Sequence, residues 1–102
     1  MQLHRKKKVE IVVEAPRVHR IIELLDRVGA KGYTVVPNVS GKGHRGVRSE
    51  GDIFDVFRNV LVIVVATEPV ARRIMEESQK VLENYAGVVY MSDVEVVRES
   101  HF

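Results

Sequence analysis

Apolar and polar residues alternate near the start of the chain. Val9, Ile11 and Val13 interleave with Glu10 and Glu14, the two-residue period of a half-buried strand. Pro16 follows, and its fixed φ and missing N–H suit the first turn of a helix. Val18, Ile21, Ile22, Leu25 and Val28 fall on one helical face, and Gly29 marks the stop. Residues 33–36 are aromatic and β-branched, which predicts a second strand. Between 37 and 55 the pattern breaks: Gly41, Gly43, Gly46 and Gly51 stand among charged residues, the composition of a loop. A third strand is predicted over 57–66. Thr67 or Glu68 then caps a second helix with Pro69 in its first turn. Val70, Ala71, Ile74, Met75, Ser78, Val81, Leu82 and Tyr85 trace its buried face, Gly87 ends it, and 88–97 forms the fourth strand.

The order βαββαβ predicts an α+β, ferredoxin-like fold: a four-stranded antiparallel sheet with two helices on one face, in a single domain over 1–102. Residues 60–65 are apolar without alternation. A strand of that kind wants cover on both sides, and the chain's own helices supply only one. The other face is therefore expected to meet further copies of the chain.

Composition narrows the chemistry. The 102 residues suit one domain, and an apolar share of 45% supports a packed core. With no cysteine, disulfides, thiolate zinc sites and thiol nucleophiles are excluded. No apolar stretch follows the basic residues 1–8, so no signal peptide is expected, and the run around 60–66 is too short to span a bilayer. A soluble, cytoplasmic chain is the expectation. The net charge of +2 is too mild to demand a nucleic-acid partner. Its cations are nevertheless clustered. Arg5, Lys6, Lys7 and Lys8 read most simply as a solvated leader, while Lys42, Arg45 and Arg48 lie within the glycine-rich stretch.

That stretch, Ser40-Gly41-Lys42-Gly43-His44-Arg45-Gly46-Val47-Arg48, carries the strongest chemical signal. Glycine lets backbone N–H groups close on an anion, and Arg grips phosphate or carboxylate at two points. The spacing is neither a Walker A motif nor a dinucleotide fingerprint. A solvated, flexible hairpin loop would have similar composition, so both readings stand on the residues alone.

Gly32-Tyr33-Thr34-Val35-Val36 followed by Val39-Ser40-Gly41-Lys42-Gly43 resembles the second strand and the beginning of the T-loop in PII signal proteins, most of all their carboxysome-associated PII-like branch. The resemblance covers the chain from Lys8 to Arg98. It implies a homotrimer with adenine nucleotide in clefts between neighbours. Adenine would lie near Thr34 and the backbone around Val64. Gly41, Lys42, Gly43, His44 and Arg45 would sit over ribose and phosphates, and Gly87, Val88 and Arg98 would approach the phosphates from the other side. Residues 37–55 would be the T-loop, which reports the ligand to a protein partner such as a bicarbonate transporter or a carboxysome component.

Departures from the family pattern sharpen the expectation. The connection 84–87 is short, and Val88 replaces a phosphate-binding lysine, which favours ADP or AMP over ATP. Arg45 and Asn59 stand where the family's 2-oxoglutarate ligands are expected, so sensing of that acid is not anticipated. Bicarbonate is the second ligand in the carboxysome-associated branch, with Arg45 and Arg48 as candidates. Tyr33, Tyr85 and Tyr90 all lie outside the loop, so uridylylation there is not expected.

Three rivals share parts of this pattern. An enzyme would need a nucleophile elbow or a metal-binding helix, and neither Gly-x-Ser-x-Gly nor His-Glu-x-x-His occurs. His4, His19, His44 and His101 have no metal-ligand spacing. No catalytic residue, metal ligand or cofactor is assigned. An RNA-recognition module shares the element order, but Thr34, Val35 and Val36 fail its aromatic motif. A CutA-type metal-binding trimer would lack the Gly-Lys-Gly stretch.

Overall fold

The computed structural model describes residues 1–41 and 58–102. Their elements run β1 (His4–Glu14), a 3-10 turn (Ala15–Arg17), α1 (Val18–Val28), β2 (Thr34–Val39), β3 (Asn59–Ala66), α2 (Glu68–Leu82), β4 (Gly87–Val96) and a closing 3-10 turn (Glu99–His101). The strands pair antiparallel in the order β2-β3-β1-β4. This is the ferredoxin-like arrangement expected from the sequence.

Register places Val9, Ile11 and Val13 opposite Val64, Val62 and Val60. All six side chains are buried beneath Ile21, Leu24, Leu25 and Val28 of α1 and Ala71 and Ile74 of α2. Burying each of the larger side chains contributes about 1.5–3 kcal/mol relative to exposure. Gly29 ends α1 with φ 86°, and its N–H reaches the carbonyls of Asp26 and Leu25; glycine adopts this left-handed cap without strain. Thr67 precedes α2 in extended conformation. Its side chain makes no cap bond, but its carbonyl accepts from Ala71 N–H.

Four boundaries differ from expectation. The basic block is no solvated leader: β1 begins at His4 and carries Arg5, Lys6, Lys7 and Lys8 beside β4. Lys7 Nζ donates to Asp93 Oδ1, and Lys6 lies 3.7 Å from Glu99. Long basic side chains join a strand when their stems lie along the sheet and their heads find carboxylates. Second, β2 continues through Pro37 to Val39. A register shift between Val36 and Val39 and a left-handed Asn38 (φ 60°) accommodate the proline on this edge strand. Third, α2 stops at Leu82, so Tyr85 lies beyond the helix and Gly87 opens β4 instead of closing α2. Fourth, β3 begins at Asn59. Phe57 and most of the expected T-loop lie outside the described residues.

The sheet face away from the helices bears Val12, Val36, Leu61, Ile63, Val65, Val88 and Tyr90, by register and alternation. Leu61, Ile63 and Val65 are half-buried, while Val88 and Tyr90 are 53% and 46% exposed. Among the described residues, the doubly apolar third strand is thus covered on one side by α1 and α2 and left open on the other. Lys8 and Glu10 interrupt this face as an ion pair at 3.4 Å.

Candidate functional site

Antiparallel pairing brings the C-terminal end of β2 and the N-terminal ends of β3 and β4 to one edge of the sheet. Val39 lies opposite Asn59, Asn59 opposite Glu14, and Gly87 opposite Val13. Gly41, just past β2, and Gly87 and Val88, at the start of β4, therefore share that end. Thr34 opens β2, is exposed, and pairs with Ile63. Its neighbour on β3, Val64, points its side chain into the core with no exposure. A ligand beside Thr34 can meet only backbone there.

Of the candidate-site glycines, Gly41 and Gly87 are described, and they differ in what they need. A Cβ at Gly41 would have open space around it, so packing within the chain does not require glycine there. A Cβ at Gly87 would stand 2.6 Å from the Val12 carbonyl oxygen and 2.7 Å from Leu82 Cδ2. Gly87 is fixed by the close approach of α2 and β1. Beside it, a groove of about 560 Å³ runs between α2 and β4 and is lined by Met75, Glu76, Leu82, Glu83, Gly87 and Val88. Two carboxylates in its wall make it unsuited to phosphate by itself.

Arg98 lies at the opposite end. It follows β4, whose Val96 pairs with His4 at the start of β1. The ten residues of β4 span roughly 33 Å at about 3.3 Å each. One chain thus places Arg98 far from Gly41, Gly87 and Val88. The turn after Arg98 is held by Glu99, whose carboxylate lies 3.5 Å from His4 Nδ1 and 3.7 Å from Lys6 Nζ. The sequence does not announce this anchor, because Arg5, Lys6, Lys7 and Lys8 read most simply as a solvated leader. Four consecutive basic residues show no two-residue period, so the local sequence carried no signal of it. Lys42, Gly43, His44, Arg45 and Arg48 lie outside the described residues.

Electrostatics elsewhere are those of surface pairs. The Lys7 ammonium hydrogen-bonds Asp93 and holds its carboxyl below the usual aspartate range, with a smaller contribution from Arg5. Hydrogen bonds from Lys80 and Arg27 lower Glu77 in the same way. Among the described residues no helix is long and apolar enough to cross a membrane.

The family model for "Nitrogen regulatory protein P-II" matches residues 6–101. The chain belongs to the PII family, as the resemblance in residues 32–43 implied. Among solved structures it is similar to CPII of Thiomonas intermedia, a nitrogen regulatory PII-like protein. CPII bound to ADP, AMP and bicarbonate has 34% identity over 95% of this chain and 98% of that one, with a TM-score of 0.81. CPII with ADP, AMP and acetate gives 32% identity over 100% and 98%, with a TM-score of 0.86. A PII-like signaling protein of Thermus thermophilus gives 36% identity over 100% and 99%, with a TM-score of 0.80. Of the βαββαβ readings weighed from sequence, PII is the one the comparisons bear out.

Proposed function

We propose that this chain is a non-enzymatic PII-like sensor. It assembles as a homotrimer, binds ADP or AMP in clefts between subunits, takes bicarbonate as a second ligand, and signals through the T-loop. The observation that carries the reading is the set of ligands held by CPII, which aligns with nearly the whole of this chain at about a third identity. The open apolar sheet face supports the trimer. The separation of Arg98 from Gly41, Gly87 and Val88 supports a cleft completed by a neighbour, since one chain does not bring the two halves together.

In this reading Thr34 and the backbone around Val64 border the adenine. Gly41, Lys42, Gly43, His44 and Arg45 cover ribose and phosphates, and Gly87, Val88 and Arg98 lie toward the phosphates. Arg45 and Arg48 are the candidates for bicarbonate, because guanidinium groups recognise a small planar oxyanion at two points. Ligand binding changes the population of T-loop conformations and so the surface offered to a partner. The partner is a component of inorganic carbon uptake or of the carboxysome, and the protein works in the cytoplasm.

Calorimetry with AMP, ADP and ATP, with and without bicarbonate, tests the proposal. Saturable binding of ADP and AMP, tighter than that of ATP, is the expected result. A trimer that ignores all three nucleotides would end it. Arg98→Ala should weaken ADP more than adenosine, and equal losses for the two would remove Arg98 from the phosphates.

A further inference from the structure

The outward side of the helix layer holds a second concavity, away from the open sheet face and beside the turn that leads from α2 to Gly87. A groove of about 250 Å³ runs between α1 and α2, lined by Arg20, Arg27, Glu77, Lys80, Asn84 and Tyr85 together with Val81. Its charges do not balance. Glu77 alone serves both Arg27, at 3.2 Å, and Lys80, at 3.0 Å. Arg20 has no carboxylate partner among the described residues; its guanidinium lies over the Tyr85 ring, 5.8 Å from the centroid. Arg17, which does not line the groove, lies over the same ring at 4.1 Å. Its Nε is shut from solvent and donates to no acceptor among the described residues. Glu23, one turn from both Arg20 and Arg27 on α1, makes no ion pair with either.

Three cations, one carboxylate and two neutral polar groups thus converge on one small hollow. Arg20 and Arg27 are seven residues apart on α1 and share a face, while Lys80 and Asn84 meet them from α2 and the turn after it. Like charges held together in a concavity raise the local potential and concentrate anions. Guanidinium forks match the several oxygens of a tetrahedral oxyanion better than a single carboxylate fills them. The shared Glu77 offsets only part of this charge.

We infer that the groove between α1 and α2 is a binding site for a phosphate group, separate from the nucleotide cleft. The groove is small, so the group is either free phosphate or the phosphate of a small monoester. Because α1 and α2 cover the sheet face opposite the open apolar one, the hollow stays accessible when that apolar face is covered by other copies.

The test uses the full chain in chloride-matched buffer, with ¹⁵N NMR titrations of inorganic phosphate and of glycerol 3-phosphate. Saturable shifts at Arg20, Asn84 and Tyr85, reduced at least fivefold in affinity by R20A with R27A, are the expected result. Binding of both ligands means that the phosphate group alone is read. Binding of the monoester alone means that the organic part also contacts the groove. The separate variant Lys80→Gln should weaken the site without removing it, and ADP affinity should be unchanged in all these variants. Shifts that fail to saturate with either ligand, or that persist unchanged in the arginine double variant, would overturn the inference. So would phosphate shifts at Thr34 and Gly87 in place of the groove residues.

Discussion

Gly87 and Ser78 show opposite ways in which one atom matters. The missing Cβ of Gly87 leaves room for the Val12 carbonyl and for Leu82; the Leu82 side chain can rotate, but the carbonyl is strand backbone and cannot retreat. Gly87→Ala should destabilise the chain by about 1–3 kcal/mol, the usual cost of overpacking. A urea midpoint lowered with an unchanged slope would confirm this, and an unchanged midpoint would contradict the close packing. Ser78 is fully buried in α2, and its hydroxyl finds no hydrogen-bond partner among the described residues. Ser78→Ala removes that unsatisfied group at little loss of volume. It should leave stability unchanged or raise it by about 1 kcal/mol; a clear loss on thermal melting would mean that the hydroxyl has a partner. Nothing in the residue pattern announced either role. Gly87 looked like a helix stop, and Ser78 was placed on the buried face by spacing alone, because a close approach between elements is a property of packing and not of local sequence.

β1 is where the elements departed most from the pattern, and it carries its own pH signature. Alternation made Val9 to Glu14 legible as a strand, but four consecutive basic residues hid the first half. Their role depends on Asp93 and Glu99, some 86 and 93 residues away in sequence, and no local window reports such partners. The helix faces were legible because their spacing is set within one element, although Leu24 was missed on α1. The Gly-Lys-Gly stretch expected to open the T-loop was legible only as a motif, since its proposed role depends on a ligand and a neighbour. Asp93 is held below its ordinary pKa of about 3.9 by Lys7. A depressed folded value means that the pair stabilises fully above the unfolded pKa, and that this contribution fades as pH falls through the folded one. Asp93→Asn should therefore be less stable than the parent at neutral pH, with the difference closing below about pH 4. Denaturation midpoints across pH 2.5–7 measure this; a difference that stays constant with pH would break the link. Both side chains reach solvent, so the effect at neutral pH is small and falls with added salt.

Among the described residues, one face of the sheet is left without cover. Ile63 lies at its centre, between Thr34 of β2 and Glu10 of β1, and stands next to Leu61 and Val65 on the same strand face. In an isolated chain Ile63 is only half-buried, so a lysine there keeps a route for its ammonium to water. In an assembly that closes this face, the same lysine brings an unpaired charge into an apolar contact, which costs several kcal/mol. Ile63→Lys should therefore preserve the circular-dichroism signature of the fold while sedimentation velocity shows single chains in place of trimers. If the proposed cleft lies between copies, ADP binding should fall with it, because Arg98 of one copy would no longer reach the Gly41, Gly87 and Val88 end of another. The two readouts are independent. A folded monomer that still binds ADP with parent affinity would confine the site to one chain, against the distance along β4. A trimer that persists would move the interface to another surface and leave the apolar sheet face unexplained.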